Sequence, residues 1–225
     1  MIQFEIVTKM YPLGVAALDG VSFVIDRNEF TFLVGTSGAG KTTILNLILG
    51  DLYPNVGTVI VNDIDISSKK NDQIEELRKH IGVVFQDFKI LHDKDVFENI
   101  ALGLYIQKLS LKKIKEQVRE VLTLVGLQDR ERYFPVQLSA GELQRVAIAR
   151  ALCGDRHIIL ADEPTGNLDP KTTWDIMKIF KKVETHKTII IATHNTDIVN
   201  SMKKRVLVLK KGKLIKDVQK GGYEL

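Results

Sequence analysis

Apolar residues recur along this chain in two rhythms. Short, mostly apolar runs at residues 30–34, 81–85, 157–161, 188–192 and 205–209 have the length and composition of strands buried on both faces. Elsewhere the spacing is helical. Leu111, Ile114, Val118, Val121, Leu122 and Val125 share one face, with lysines and glutamates opposite and Gly126 placed to end the helix. Ile176, Met177, Ile179, Phe180 and Val183 mark another helix between two of the strands, and residues 72–79 and 96–104 also read as helical. Near the N-terminus, residues 2–8 and 16–25 predict strands with only a turn at Tyr11-Pro12 between them, and Asp26-Arg27-Asn28 makes the next turn. With no helix to cross over, these strands should form an antiparallel layer. Residues 58–61 add a short strand after a turn at Gly57.

Strand and helix alternating along the rest of the chain predict an α/β fold with a mostly parallel sheet covered on both faces. Residues from about 88 to 153 are mainly helical and read as an insertion. The expected organisation is one domain of residues 1–225, in which 1–87 and 154–225 form the core with its β layer and about 88–153 form a helical subdomain.

Composition narrows this picture only modestly. With 225 residues, 44% of them hydrophobic and 27% charged, the chain can bury a large core. No apolar stretch approaches the roughly 20 residues needed to span a bilayer. The first residues lack the basic-then-apolar pattern of a signal peptide. The single cysteine, Cys153, excludes an internal disulfide and sits in an apolar stretch, where a small buried hydrophobe is the expected role. A net charge of +4 and a pI near 9.0 leave partners open. Late lysines (203, 204, 210, 211, 213, 216 and 220) fit either a solvated face or an anionic membrane surface.

The chemistry begins after the first buried run. Gly35-Thr36-Ser37-Gly38-Ala39-Gly40-Lys41-Thr42-Thr43 follows a strand, precedes an apolar helix ending at Gly50, and has the G-x-x-x-x-G-K-T spacing of a phosphate-binding P-loop. Glycines let successive N–H groups converge on an anion. The helix start adds its positive end. Lys41 supplies a charge for the β- and γ-phosphates, and the Thr42 hydroxyl can hold Mg²⁺. This loop specifies a nucleotide but not its use. Residues 157–163 form a strand ending in two acids. Asp162 is placed to support Mg²⁺, and Glu163 to polarise a water for attack on a γ-phosphate. Leu138-Ser139-Ala140-Gly141-Glu142-Leu143-Gln144-Arg145 reads first as a capping box, Ser139 with Glu142, opening an apolar helix. A capped helix start beside a glycine is also a second anion site, which the nucleotide of another copy of the chain could occupy.

Taken in order, the P-loop, Gln86, the 138–144 signature, Asp162-Glu163, Asn167-Leu168-Asp169 and His194 resemble the ATP-binding cassette (ABC) ATPases over nearly the whole chain. The resemblance implies a P-loop NTPase that binds ATP with Mg²⁺, hydrolyses ATP, and dimerises on binding it. It implies that Tyr11 stacks on adenine. Gln86 would touch Mg²⁺ or water and link the site to a partner, His194 would sense the γ-phosphate, and Asp169 would cross the dimer interface. Ala140 departs from the usual glycine. It predicts a φ below zero there, or strain, with Ser139 and Gly141 left as the phosphate contacts. Within the superfamily, residues 162–169, Phe85-Gln86-Asp87, residues 134–139 and Ala192-Thr193-His194-Asn195 are similar to the cell-division branch. That likeness implies a cytoplasmic ATPase on the inner face of the membrane. It implies an integral membrane partner resembling FtsX and a role in controlling cell-wall hydrolysis. A drug- or lipoprotein-exporting subunit has the same chemistry. A DNA- or ribosome-associated ATPase would usually carry a long coiled-coil insertion or a second cassette, and no nucleic-acid partner is expected.

Overall fold

A computed structural model describes residues 1–68, 72–166 and 168–221. In chain order the elements are β1 (Ile2–Tyr11), β2 (Val15–Ile25), β3 (Phe30–Val34), α1 (Lys41–Ile48), β4 (Val56–Val61), β5 (Ile64–Asp65), α2 (Ile74–Lys79) and β6 (Ile81–Val84). They continue with α3 (Val96–Ile106), α4 (Leu111–Val125), α5 (Ala140–Leu152), β7 (Ile158–Asp162), α6 (Pro170–Val183), β8 (Thr188–Thr193), α7 (Thr196–Met202), β9 (Arg205–Lys210) and β10 (Lys213–Val218). The chain divides into two compact units. One comprises Met1–Arg78 with Thr188–Leu225, the other Lys79–Lys187.

The first unit contains the expected antiparallel layer, in the order β2-β1-β4-β5. Phe4 faces Phe23 across the β1–β2 pair, and their rings stack with centroids 4.5 Å apart. β1 runs three residues further than the pattern suggested, to Tyr11, because irregularities in its pairing absorb Ile6 at φ 49. Gly57 is not the turn before β4 but lies inside that strand. It sits at φ 87, where the pairing with β1 skips from Glu5 to Thr8. A Cβ there would lie 2.4 Å from the carbonyl oxygens of Glu5 and Ile6, so this bulge requires glycine.

The unit's other strands run in the order β10-β9-β3-β8. β3 is parallel to both β8 and β9, and every residue of β3 and β8 is buried, as uniformly apolar runs demand. Arg205, at the start of β9, is buried and ties four segments together. It donates to the Val24 carbonyl at 2.7 Å, to both Glu29 carboxylate oxygens at 3.1 Å, and to the two Asp217 oxygens at 2.9 and 2.7 Å. These bonds, those to Asp217 foremost, hold the guanidinium pKa above its ordinary value.

In the second unit β6 and β7 pair in parallel. Helices α3, α4 and α5 pack on one another, and α5 lies against β6. The close approach is at Gly82, where a Cβ would lie only 1.9 Å from the Ala151 carbonyl oxygen. Helix ends follow the local signals. Asp95 and Glu98 form a capping box for α3, Ser110 caps α4, Gly126 ends α4 at φ 70, and Asp169 caps α6 ahead of Pro170.

Candidate functional site

The P-loop leaves β3 at its carboxyl end. Gly35 (φ 155), Gly38 (φ 76) and Gly40 (φ 110) all adopt conformations that L side chains resist. Space imposes a second demand at two of them. A Cβ on Gly35 would meet the Leu209 carbonyl oxygen at 2.4 Å, and one on Gly40 would meet that of Ala17 at 2.6 Å. The loop is closed by Ala39 N–H donating to the Thr36 carbonyl at 3.1 Å, while Gly212, in the β9–β10 turn, donates to the Ala39 carbonyl at 3.2 Å. Lys41 opens α1 and is buried. Its ammonium folds back over the loop, donating to the Gly35 carbonyl at 2.7 Å and the Thr36 carbonyl at 3.3 Å. Thr36, Ser37 and Thr42 are exposed, whereas Thr43 is buried and its hydroxyl lies 3.4 Å from the Tyr11 hydroxyl.

Tyr11 therefore belongs to the P-loop's surroundings, as does His194. Val34 pairs in register with Thr193 of β8, so Gly35 and His194 leave neighbouring strands side by side. His194 is exposed and held between the end of β8 and the cap of α7. There Asn195 accepts from Ile198 N–H at 3.1 Å and donates through its own N–H to the Thr193 hydroxyl at 3.1 Å.

The other predicted residues lie in the second unit. Val84 of β6 pairs with Ala161 of β7, so Gln86 and Glu163 both follow the carboxyl ends of neighbouring parallel strands. Glu163 sits at φ 45, and its carbonyl accepts from Gly166 N–H at 3.2 Å. A left-handed acidic residue costs on the order of 1–3 kcal/mol, and such strain is concentrated at working sites.

The signature forms the start of α5, with its capping box complete. Ser139 Oγ accepts from Glu142 N–H at 3.3 Å, and the Glu142 carboxylate accepts from the Ser139 N–H and hydroxyl, both at 2.9 Å. Those two bonds, joined by Arg130 at 3.2 Å, hold the Glu142 pKa below its ordinary value. Ala140 is the first residue of the helix and is not among the positive-φ residues, so alanine fits there without strain. Gly141 is demanded by packing instead, since a Cβ would lie 2.7 Å from the Thr172 methyl. Thr172 N–H in turn donates to Asp169 at 3.0 Å, and this holds the Asp169 carboxyl below its usual range. The signature helix and the Asp169-capped helix thus start against each other. Asn167, between them in sequence, lies outside the described residues.

Two contributors escaped the sequence pattern. One is the β9–β10 turn, whose only signal was a glycine between lysines. The other is Arg150, in the last turn of α5. It donates to the carbonyls of Phe88 at 2.7 Å and Lys89 at 2.6 Å, just beyond Gln86. Phe88 and Lys89 sit at φ 59 and 48, two successive left-handed residues that direct both carbonyls at one guanidinium.

A strand-loop-helix phosphate site, a capped signature helix and an acid pair at strand ends together define a nucleotide-hydrolysing cassette. Residues 18–166 match the family model described as ABC transporter, and the chain belongs to that family. It is similar over its whole length to the cell division ATP-binding protein FtsE of Bacillus subtilis, 45% identical over 224 residues that cover 99% of this chain and 98% of the relative. It is 43% identical to the FtsE of Mycobacterium tuberculosis over 225 residues, covering 99% and 98%. Among solved structures it resembles a dimeric, post-hydrolysis ATP-binding cassette bound to ADP and Pi, with a TM-score of 0.89 and 34% identity over 99% of this chain and 100% of that one. The protein is an ABC ATPase subunit of the FtsE type and hydrolyses ATP.

Proposed function

We propose that this chain works as a pair of copies, with each ATP held by the P-loop of one copy and the signature of the other. Gly38, Gly40, Lys41 and Thr42 bind the phosphates, Tyr11 stacks on the adenine, and Ser139 and Gly141 of the second copy close over the γ-phosphate. Glu163 orients the attacking water, and His194 answers to the γ-phosphate. Asp169 lines the junction between copies. Thr42, Gln86 and Asp162 would each offer Mg²⁺ an oxygen, the donor type that ion prefers. Bound there, Mg²⁺ would neutralise charge on the β- and γ-phosphates.

The observation that carries this reading is Glu163, held left-handed at the carboxyl end of β7, which pairs in parallel with the strand leading to Gln86. A membrane partner of the FtsX kind, acting at the inner face of the cell membrane in the control of cell-wall hydrolysis, is supported by the FtsE relatives. Exposed apolar side chains in the stretch that follows Gln86 support it too: Leu91, and Leu102, Tyr105 and Ile106 in the second half of α3. A change at Gln86 when phosphate is released would be passed to that partner through this segment.

Two experiments test the proposal. Glu163→Gln should bind ATP, accumulate dimers in size-exclusion chromatography and nearly stop turning over; normal turnover sinks the role of Glu163. Lys41→Ala and Ser139→Arg chains, each inactive alone, should regain part of the activity when mixed. No recovery at any ratio argues against sites shared between copies.

A further inference from the structure

The second unit holds a cluster of side chains that nucleotide chemistry does not use. His80 and His157 stand immediately before β6 and β7, at the ends of these strands opposite Gln86 and Glu163. The His80 carbonyl accepts from His157 N–H at 2.9 Å and from Ile158 N–H at 3.2 Å, so strand pairing fixes the two rings side by side. They stack at 5.4 Å between centroids with 13° between planes. Asp155, in the turn after α5, reaches both. One carboxylate oxygen lies 3.4 Å from His80 Nδ1 and the other 3.3 Å from His157 Nε2. No two of the three ligand atoms are more than 4.8 Å apart, and no other such group occurs among the described residues.

These separations approach those of a metal's coordination shell. Bonds of about 2.0–2.2 Å in a tetrahedral site set neighbouring ligands about 3.3–3.5 Å apart; each nitrogen has one Asp155 oxygen at that distance, and small side-chain rotations would bring all three ligand atoms, now within 4.8 Å of one another, around one ion. Two imidazoles and a carboxylate suit a borderline divalent transition ion, whereas Mg²⁺ and Ca²⁺ prefer oxygen alone. Two nearby cations, Arg156 and Lys187, feel the Asp155 charge, yet both also bond to backbone carbonyls. The Arg156 guanidinium donates to the carbonyls of Lys79 and Ile81, and the Lys187 ammonium to that of Arg156. The three side chains are 34%, 67% and 58% exposed for His80, Asp155 and His157, so an ion can enter and water can fill the fourth position.

We propose that His80, Asp155 and His157 form a surface site for a divalent transition ion of the Zn²⁺ class, separate from the nucleotide site. His80 Nδ1 also lies 3.0 Å from the Asp155 carbonyl oxygen. Binding therefore exchanges a hydrogen bond for a metal bond and displaces any proton on that nitrogen. An ion held there would fasten the start of β6 to the turn that follows α5.

The test uses the untagged full-length chain, stripped with chelator and titrated with Zn²⁺ by calorimetry in excess Mg²⁺. One Zn²⁺ should bind per chain with micromolar affinity, and Co²⁺ should give the visible absorption of a low-symmetry site. At about a hundredfold excess over Kd the melting midpoint should rise by about 5 °C or more. His157→Gln and His80→Gln should each weaken binding at least tenfold while leaving Mg²⁺-ATP hydrolysis unchanged. If either fails to fold, Asp155→Asn replaces it in the same titration. Absence of binding by the wild-type chain, or affinity unaltered in folded variants, overturns the assignment.

Discussion

Arg150 should control the order of the segment that follows Gln86. Its two bonds join a charged donor to the carbonyls of Phe88 and Lys89, at 2.7 and 2.6 Å. A hydrogen bond to a charged group contributes about 1.5–3 kcal/mol, so the pair is worth about 3–6 kcal/mol before the loop relaxes. Burial lowers the guanidinium pKa, which means that part of this gain offsets desolvation. Arg150→Met keeps the aliphatic stem and removes the fork. The freed carbonyls can turn to water, so the loss of global stability is capped by the free energy of opening the loop itself. A net local loss of about 2–3 kcal/mol corresponds to an opening equilibrium raised about thirty- to a hundredfold or more. Hydrogen exchange followed by mass spectrometry should therefore show residues 86–91 exchanging faster by about that factor. Helix α4 should exchange at its wild-type rate. Arg150→Lys, with one ammonium in place of a planar fork, should fall between the two. Unchanged exchange across residues 86–91 in Arg150→Met would refute the reasoning, whatever the effect on ATP turnover.

Other positions give sharper outcomes. Gly82→Ala drives a methyl into the Ala151 carbonyl at 1.9 Å, so α5 must shift. The expected cost is about 3 kcal/mol, read as a melting midpoint lower by about 6–12 °C. The Cys153 thiol, pushed up to about 12 by burial, should resist iodoacetamide at pH 8 in the folded chain and react promptly in denaturant. Glu142 has a depressed pKa, so its ionised form favours the folded chain above the ordinary glutamate range of about 4.3, and that contribution is lost as pH falls through the depressed value. Exchange at the start of α5 should accelerate over that window. Glu142→Gln, which keeps an acceptor but cannot ionise, should show no such pH step.

What the sequence disclosed was local, and what it concealed was long-range. The β3–P-loop–α1 unit could be read because an apolar run, a glycine cluster and a second apolar run follow one another directly. The Ser139–Glu142 box and the Gly126 stop were equally legible from spacing within one helical turn, whereas Asp169 shows itself as a cap only in the structure. By contrast, nothing near Ala39 announces that Gly212 will donate to it, because 173 positions separate them and the sheet alone brings them together. Gly57 misled for the same reason. As a glycine ahead of a short apolar run it looks like a turn, but the need for glycine comes from the facing carbonyls of Glu5 and Ile6. β5, α7 and β10 went unnoticed. The first two, at two and seven residues, are too short to show a period, and in the third lysines break the apolar alternation. The left-handed backbone of Glu163 has no sequence signature, since an acid at a strand end is ordinary until its φ is known.

β10 closes its strand order as an edge, paired on one side with β9, and the pairing slips between Leu214 and Lys216. Such an edge offers unpaired N–H and C=O groups to any extended segment that drifts past. Here Lys213 and Lys216 are exposed on that strand, and Ile215 is the one large apolar side chain there that faces solvent. Lys213 is paired with Asp19 at 3.1 Å, but a second sheet approaching edge to edge would still bring the Lys216 ammonium against its like before its backbone could pair. The lysines of this strand thus have a use that needs no membrane: they oppose the open-ended pairing of one sheet edge with another.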